Sequence, residues 1–303
     1  IEYMISINPN INFLDKNKYA LILSITLMLV SIISLSILGL NLGIDFTKGT
    51  RLDFETNSNI NQIRLSINET QIKDNYTIKK VENIDDRSNY KNVFSLTSKV
   101  DFNSDDIKGF EYNILLSEGI SKSVSDNLKN DAIWSMCIAI VLILIYVSIR
   151  FNPFFAIGSI LALVHDILIT IGVFSLFQLE INLPIIAAFL TILGYSLNDT
   201  IVVYDRIREN IKLKNYPDDI SELTNKAINQ TISRTILTSL TTLIVLTVLF
   251  FVGNYLIKLF TLALIIGVLI GTYSSIFVAS YCVNFLQNRF GHVLKKFNFE
   301  EEE

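Results

Sequence analysis

A polytopic α-helical membrane protein, with six transmembrane helices and a small α+β, ferredoxin-like domain between the first two, is the fold class that three observations predict. Half of the 303 residues are hydrophobic, only 18% are charged and the mean hydropathy is +0.45, which is too apolar for a soluble chain of this length. Six apolar runs are long enough to cross a hydrocarbon core as helices, which takes about 20 residues. A single polar stretch, 45–130, interrupts them.

The first run, "YALILSITLMLVSIISLSILGL", opens a span at 19–44. It is longer than a signal-peptide core and lacks a small-residue cleavage site. Residues 45–130 hold neither of the two cysteines, Cys137 and Cys282, so they must fold on an apolar core without a disulfide framework. Within them "TRLDFET", "NYTIKKVENI" and "NVFSLTSKV" read as strands, "NINQIRLSI" as a helix and "NIDDRSNYKN" as a turn. The stretch "GISKSVSDNLKND" reads as a linker or amphipathic helix returning to the membrane. Five closely spaced spans follow at 132–149, 154–177, 183–204, 235–252 and 257–283, making 131–283 one helical block with a loop at 205–234.

Basic residues orient the array. Lys16 and Lys18 precede the first span, Arg150 lies between the second and third, Arg206, Arg208, Lys212 and Lys214 follow the fourth, and Arg289, Lys295 and Lys296 follow the sixth. All fall on one side, which the positive-inside rule makes cytoplasmic. Both termini, 1–18 and 284–303, are therefore expected in the cytoplasm and 45–130 outside.

The fourth span ends in "GYSLNDTIVVYDRIREN". Asp199 stands seven residues before Arg206, about 10 Å inside the first cytoplasmic anchor at helical rise. An intramembrane carboxylate costs about 2.5–3.5 kcal/mol on insertion scales, so it is a functional candidate by default. Tyr195, Ser196 and Asp199 share roughly one face, with Asn198 adjacent. Arg234 opens the fifth span at comparable depth, and Thr235, Thr238, Ser239 and Thr242 extend a hydroxyl stripe beyond it. Burial disfavours a charged carboxylate and a nearby cation favours it, so the two together make protonation switchable. The bland alternative is that Arg234 and Asp199 each reach back to the interface.

In the third span Gly158, Ala162, Asp166 and Thr170 recur every four residues, placing Asp166 on a small-residue stripe. His165, about 100° around the helix, is expected not to share that environment. Either residue could serve a secondary proton relay, and a purely structural role for Asp166 fits the spacing equally well. Gly267, Gly271, Ser275 and Ala279 in the sixth span likewise repeat every four residues and read as a helix-packing face.

Together with the layout, "GLNLGIDFTKGT", "GYSLNDTIVVYDRIREN" and "IGVLIGTYSSIFVAS" closely resemble the SecF family, the smaller membrane subunits of the SecD–SecF complexes of bacterial protein export, within the resistance-nodulation-division superfamily. The resemblance covers nearly the whole chain. Two departures stand out: Lys48 occupies the first of two consecutive glycines usual after "GIDFT", and a Val-Gly-Pro type stretch before the second span becomes "SEGISKS". If that position needs a positive φ, a lysine there costs about 1 kcal/mol.

The resemblance implies an accessory subunit of the Sec translocon in the bacterial inner membrane, driven by the proton gradient. Its partners would be SecD, the SecY–SecE–SecG channel, YajC and an unfolded preprotein. It links Asp199 and Arg234, with Thr238 and Asn198 beside them, to proton passage. A passive scaffold and a small-molecule exporter are the other classes compatible with the residues. The exporter fits less well, since such chains run to about a thousand residues. No nucleotide-binding sequence, metal-ligand cluster or nucleophile–base pair is present, so neither enzymatic activity nor a cofactor or metal is expected, and no basic stripe suggests nucleic acid.

Overall fold

The computed structural model describes residues 11–73, 75–81, 90, 92–151, 153–213 and 220–298, with side chains to 289. Among the described residues, six helices are long and apolar enough to span a membrane. They are α1 (Asn17–Ile37), α4 (Lys122–Arg150), α5 (Pro153–Leu176), α6 (Leu183–Leu213), α7 (Ser221–Val252) and a final helix made of α8 (Tyr255–Ser274) and α9 (Ser280–Asn298), joined by one π turn, Ser275–Ala279. Helices α5, α6 and α8 form the buried centre, while α4 and α7 lie mostly exposed at its flanks.

The fourth and fifth spans depart from expectation by running on as helices. The predicted loop at 205–234 is helical to Leu213 and again from Ser221. In "YDRIRENIKL" buried Tyr204, Ile207 and Ile211 recur at helical spacing, so an amphipathic helix continues beyond the apolar window. The sixth span breaks its four-residue repeat at the π turn, where the Ser280 hydroxyl donates to the Ser275 carbonyl at 2.8 Å. The inserted residue moves Ala279 out of register with Gly267 and Gly271.

The extramembrane domain is built from α2 (Ile44–Thr47), β1 (Gly49–Thr56), α3 (Ile60–Asn68), β2 (Tyr76–Val81), β3 (Asn92–Ser98), a 3₁₀ turn at Ser104–Asp106 and β4 (Tyr112–Ile120). Its sheet runs β2-β3-β1-β4, antiparallel throughout. That is the ferredoxin-like order, with the 3₁₀ turn in place of the second helix. An Asn59–Gln62 capping box starts α3, which buries Ile63 and Ile67, one turn apart, against Leu52, Phe54, Phe94 and Leu96. Each such side chain contributes about 1.5–3 kcal/mol on burial. The stretch expected to be a linker or an amphipathic helix is the end of β4 followed directly by helix α4, capped by Ser121. Of the turn expected at 83–92, residues 83–89 and 91 lie outside the described residues.

Lys48 takes φ 67° and ψ 162°, and Gly49 follows at φ 133°. A Cβ on Gly49 would sit 2.0 Å from the Ser98 carbonyl oxygen, so only glycine fits there. The Lys48 conformation is populated almost entirely by glycine, at a cost of about 1–3 kcal/mol for other residues. Part of that is offset because glycine also loosens the unfolded chain. Lys48→Gly is therefore expected to stabilise the extramembrane domain by about 1 kcal/mol, read as a raised denaturant midpoint. A lowered midpoint would count against strain at this residue.

The domain also docks on the helices. The Gly43 amide donates to the Ile181 carbonyl and the Ile181 amide donates to the Asn41 carbonyl, each at 2.8 Å. The Asp45 carboxylate accepts from the Leu183 amide at the start of α6 at 2.7 Å. From β2, Lys79 donates to the Tyr255 hydroxyl at 2.6 Å and pairs with Glu180 at 3.3 Å. Burial alone would lower the Lys79 pKa, but the bonds to Tyr255 and Glu180 outweigh it and the net shift is upward.

Candidate functional site

Asp199 is held on the inner side of α6, only 2% exposed, and among the described residues its Oδ2 has no hydrogen-bond partner. Arg234 and Ser239 of α7 are the groups whose electrostatics reach it. Arg234 is itself exposed, and among the described residues no ion pair joins the two. One step along α7, the Thr235 hydroxyl is also buried without a partner among the described residues. A buried polar atom left unpaired costs about 1–3 kcal/mol, more when charged, so such atoms call for an explanation in function. The arrangement suits a carboxylate that takes up and releases a proton.

The hydroxyl stripe on α7 is bonded chiefly within its own helix. Thr238 donates to the Arg234 and Thr235 carbonyls at 3.1 and 2.9 Å, and Thr242 donates to the Thr238 carbonyl at 3.0 Å. Cross-helix links come from Tyr195, which donates to Thr242 at 3.4 Å, and from Ser239, 2.6 Å from Thr272 of α8. The face expected to gather Tyr195, Ser196 and Asp199, with Asn198 adjacent, is divided. Tyr195 turns to α7, Ser196 to α5, Asp199 inward, and Asn198 is exposed.

The third span corrects the sequence reading. His165 does share the environment of Asp166: its Nδ1 lies 2.9 Å from Asp166 Oδ1. Both are buried, at 2% and 0% exposure. Cβ directions about 100° apart still converge when a long imidazole folds over a short carboxylate. Asp166 Oδ2 accepts from Ser196 of α6 at 2.5 Å and Ser274 of α8 at 2.8 Å. On its other side the imidazole Nε2 meets Ser24 of α1 at 3.2 Å. Tyr273 stacks on the ring with centroids 6.2 Å apart. Ser24 and Ser274 were not anticipated. The signal for Ser24 was the helical spacing of the small residues Ala20, Ser24, Ser31 and Ser34 in the first span.

Gly267 and Gly271 do line the α6–α8 seam. Cβ atoms there would meet Ile192 at 2.3 Å and Ser196 at 3.0 Å. Ser275 is buried and donates to the Thr272 carbonyl at 2.9 Å.

The sequence matches two families, Protein export membrane protein SecD/SecF, C-terminal, over residues 102–289, and the SecD/SecF GG Motif over residues 33–60. It is 38% identical to Protein translocase subunit SecF of Petrotoga mobilis, across 90% of this chain and 94% of that one. With the SecF of Calditerrivibrio nitroreducens the identity is 39%, across 94% and 98% of the two chains. The structure superposes on the crystal structure of SecDF, a translocon-associated membrane protein from Thermus thermophilus, with a TM-score of 0.82 and 34% identity, covering 94% of this chain and 40% of that one. The chain thus spans about two fifths of that longer protein. With a common six-helix layout, a shared glycine motif and identity of this order over nearly the full length, the chain belongs to the SecF family of protein translocase subunits.

Proposed function

We propose that this chain uses a transmembrane proton gradient to promote preprotein translocation and release, working as one half of a unit completed by a SecD subunit. A role in protein translocation follows from its family, and its six spans make it a multi-pass membrane protein. The observation carrying the proton reading is Asp199, a buried carboxylate with one oxygen unpaired among the described residues, within electrostatic reach of Arg234 on α7. Asp166 and His165 are the secondary candidates. The work done is conformational, with no covalent chemistry, cofactor or metal. By the placement of basic residues, both termini lie in the cytoplasm and the extramembrane domain faces outward from the bacterial inner membrane. The SecY–SecE–SecG channel, YajC and the unfolded preprotein complete the assembly. Co-reconstitution with SecD and the channel in vesicles tests this. Preprotein release should accelerate under an imposed proton gradient, and release indifferent to the gradient would overturn the reading.

The partnership rests on a second observation. Ala187, Thr191, Gly194 and Asn198 form an exposed line of small and polar residues down α6, and Arg234 and Thr241 of α7, which packs on α6, are exposed as well. Small residues on a membrane-facing helix allow close approach of another helix, and lone polar groups in lipid are costly. Relatives in which the two halves are one SecDF chain supply the occupant. A Cβ on Gly194 meets nothing within 4 Å. Gly194→Leu should therefore leave the yield of this chain unchanged while sharply reducing the SecD that co-purifies with it. Undiminished SecD recovery would place the partner on another face.

A further inference from the structure

Helix α1 is fastened to the bundle almost without apolar side chains. Its buried residues are Asn17, Ala20, Ser24, Ser31 and Ser34. Ser34 donates to Ser175 of α5 at 2.9 Å, and Ser175 donates to the Gly39 carbonyl at 2.7 Å. Ser31 packs onto Gly172. At the middle of this seam a chain of polar contacts runs from Asp166 through His165 (2.9 Å), Ser24 (3.2 Å) and the Tyr273 hydroxyl (3.0 Å) to the Ala20 carbonyl (2.6 Å).

Protons can be counted along that chain. A carbonyl only accepts, so the Tyr273 proton goes to Ala20. Three contacts remain, Asp166–His165, His165–Ser24 and Ser24–Tyr273. With a neutral imidazole and an ionised Asp166 only two protons are available, one on the ring and one on Ser24. The ring proton sits on Nδ1 facing Asp166, the Ser24 proton faces Nε2, and Ser24 and Tyr273 confront each other oxygen to oxygen. One added proton, bound at Nε2, makes the ring an imidazolium. Ser24 then turns its proton to Tyr273, and every contact becomes a hydrogen bond.

We propose that His165 and Asp166 form a proton-binding site whose occupancy sets how firmly α1, the helix carrying the extramembrane domain, is held to the bundle. With the proton bound, α1 is tied to α5 and α8 through Ser24, and the buried pair is neutral overall. Without it, the Ser24–Tyr273 link is lost. Titratable groups on the packed elements include Tyr273 of α8, Asp199 one turn from Ser196 on α6, and Tyr204 of α6, close to Gly158, with Cys282 of α9. Helix α4 contributes Cys137, Tyr146 and Arg150, and α1 contributes Lys18 and Tyr19 near its start. Among the described residues, the imidazole is the only potential cation in contact with Asp166. The site does not depend on Asp199 carrying protons.

The chain has two histidines, His165 and His292, so His292→Gln leaves one imidazole to observe. The chain labelled with ¹⁵N-histidine and assembled with unlabelled SecD in bilayers should show, by solid-state NMR, a neutral ring at pH 9 and an imidazolium at pH 5. Hydrogen exchange of the α1 amides, corrected for intrinsic rates, should be about fivefold faster in the neutral state, as expected for one hydrogen bond lost. In Ser24→Ala the ring should still titrate while α1 exchange no longer follows it. Asp199→Asn should leave the ring's titration in place, which separates this site from the gradient-coupling role proposed above. A ring in one charge state from pH 5 to 9, or α1 exchange that tracks pH equally in Ser24→Ala, would overturn the proposal.

Discussion

Asp199→Asn is expected to assemble with SecD at the normal level and to lose the gradient-driven increment of export. The substitution keeps the size of the side chain and removes its capacity to exchange a proton. Because Oδ2 accepts no hydrogen bond among the described residues, the amide breaks none there. Arg234→Met should give the same phenotype by another route, removing the cation whose charge reaches the carboxylate. A structural salt bridge would behave differently. Breaking a buried ion pair typically costs about 3–5 kcal/mol and would appear as lost complex. No ion pair joins the two residues among those described, and Arg234 is exposed, so both variants should be recovered in normal amounts. The measurement is preprotein export with and without an imposed proton gradient, normalised to assembled complex. A normal gradient response in Asp199→Asn would move the coupling elsewhere, first to Asp166 and His165.

Gly172→Val should produce the largest structural defect of any single substitution on the α1–α5 seam. A Cβ at Gly172 would lie 2.0 Å from Ser31 Oγ, 2.2 Å from its Cβ and 2.7 Å from its Cα. The last of these is backbone, so no rotamer change relieves it, and α1 must move away. Overpacking of this kind costs about 1–3 kcal/mol, occasionally more. Displacement would also break the nearby Ser34–Ser175 hydrogen bond. Recovered folded chain should fall and protease susceptibility near residue 39 should rise, whereas Gly194→Ala, facing open space, serves as the matched control. Equal recovery of the two variants would show that α1 is not closely seated on α5.

Long apolar windows made the six spans readable, because crossing a membrane imposes a length and a composition that few other structures share. The same criterion stopped too early in the fourth span, where charges in "YDRIRENIKL" hide the buried Tyr204, Ile207 and Ile211. Strand β4 was missed because "YNILLSEGI" does not alternate, and its register shifts where Asp53 gives way to Phe54 on β1. The burial of Asp199 was legible from a carboxylate in an apolar run. The pairing of His165 with Asp166 was not, since angular position on a helix fixes Cβ and leaves the reach of the side chain open.

The connections of the extramembrane domain have a mechanical consequence. The chain enters the sheet at Gly49 and leaves at Ile120, and these two residues face each other at one end of the β1–β4 pair. A force that drew α1 and α4 apart would act across that end, loading the inter-strand hydrogen bonds one after another, as in unzipping. A force along the strands would instead load them all together in shear, the stronger direction for bonds that lie perpendicular to the strand axis. The short α2 packs against α4 and braces the vulnerable end. Spreading of the two helices is therefore resisted where the sheet is weakest, and helix motions that leave this end closed reach the sheet as a tilt of the whole domain. The domain can serve as a lever only while its two supports move together.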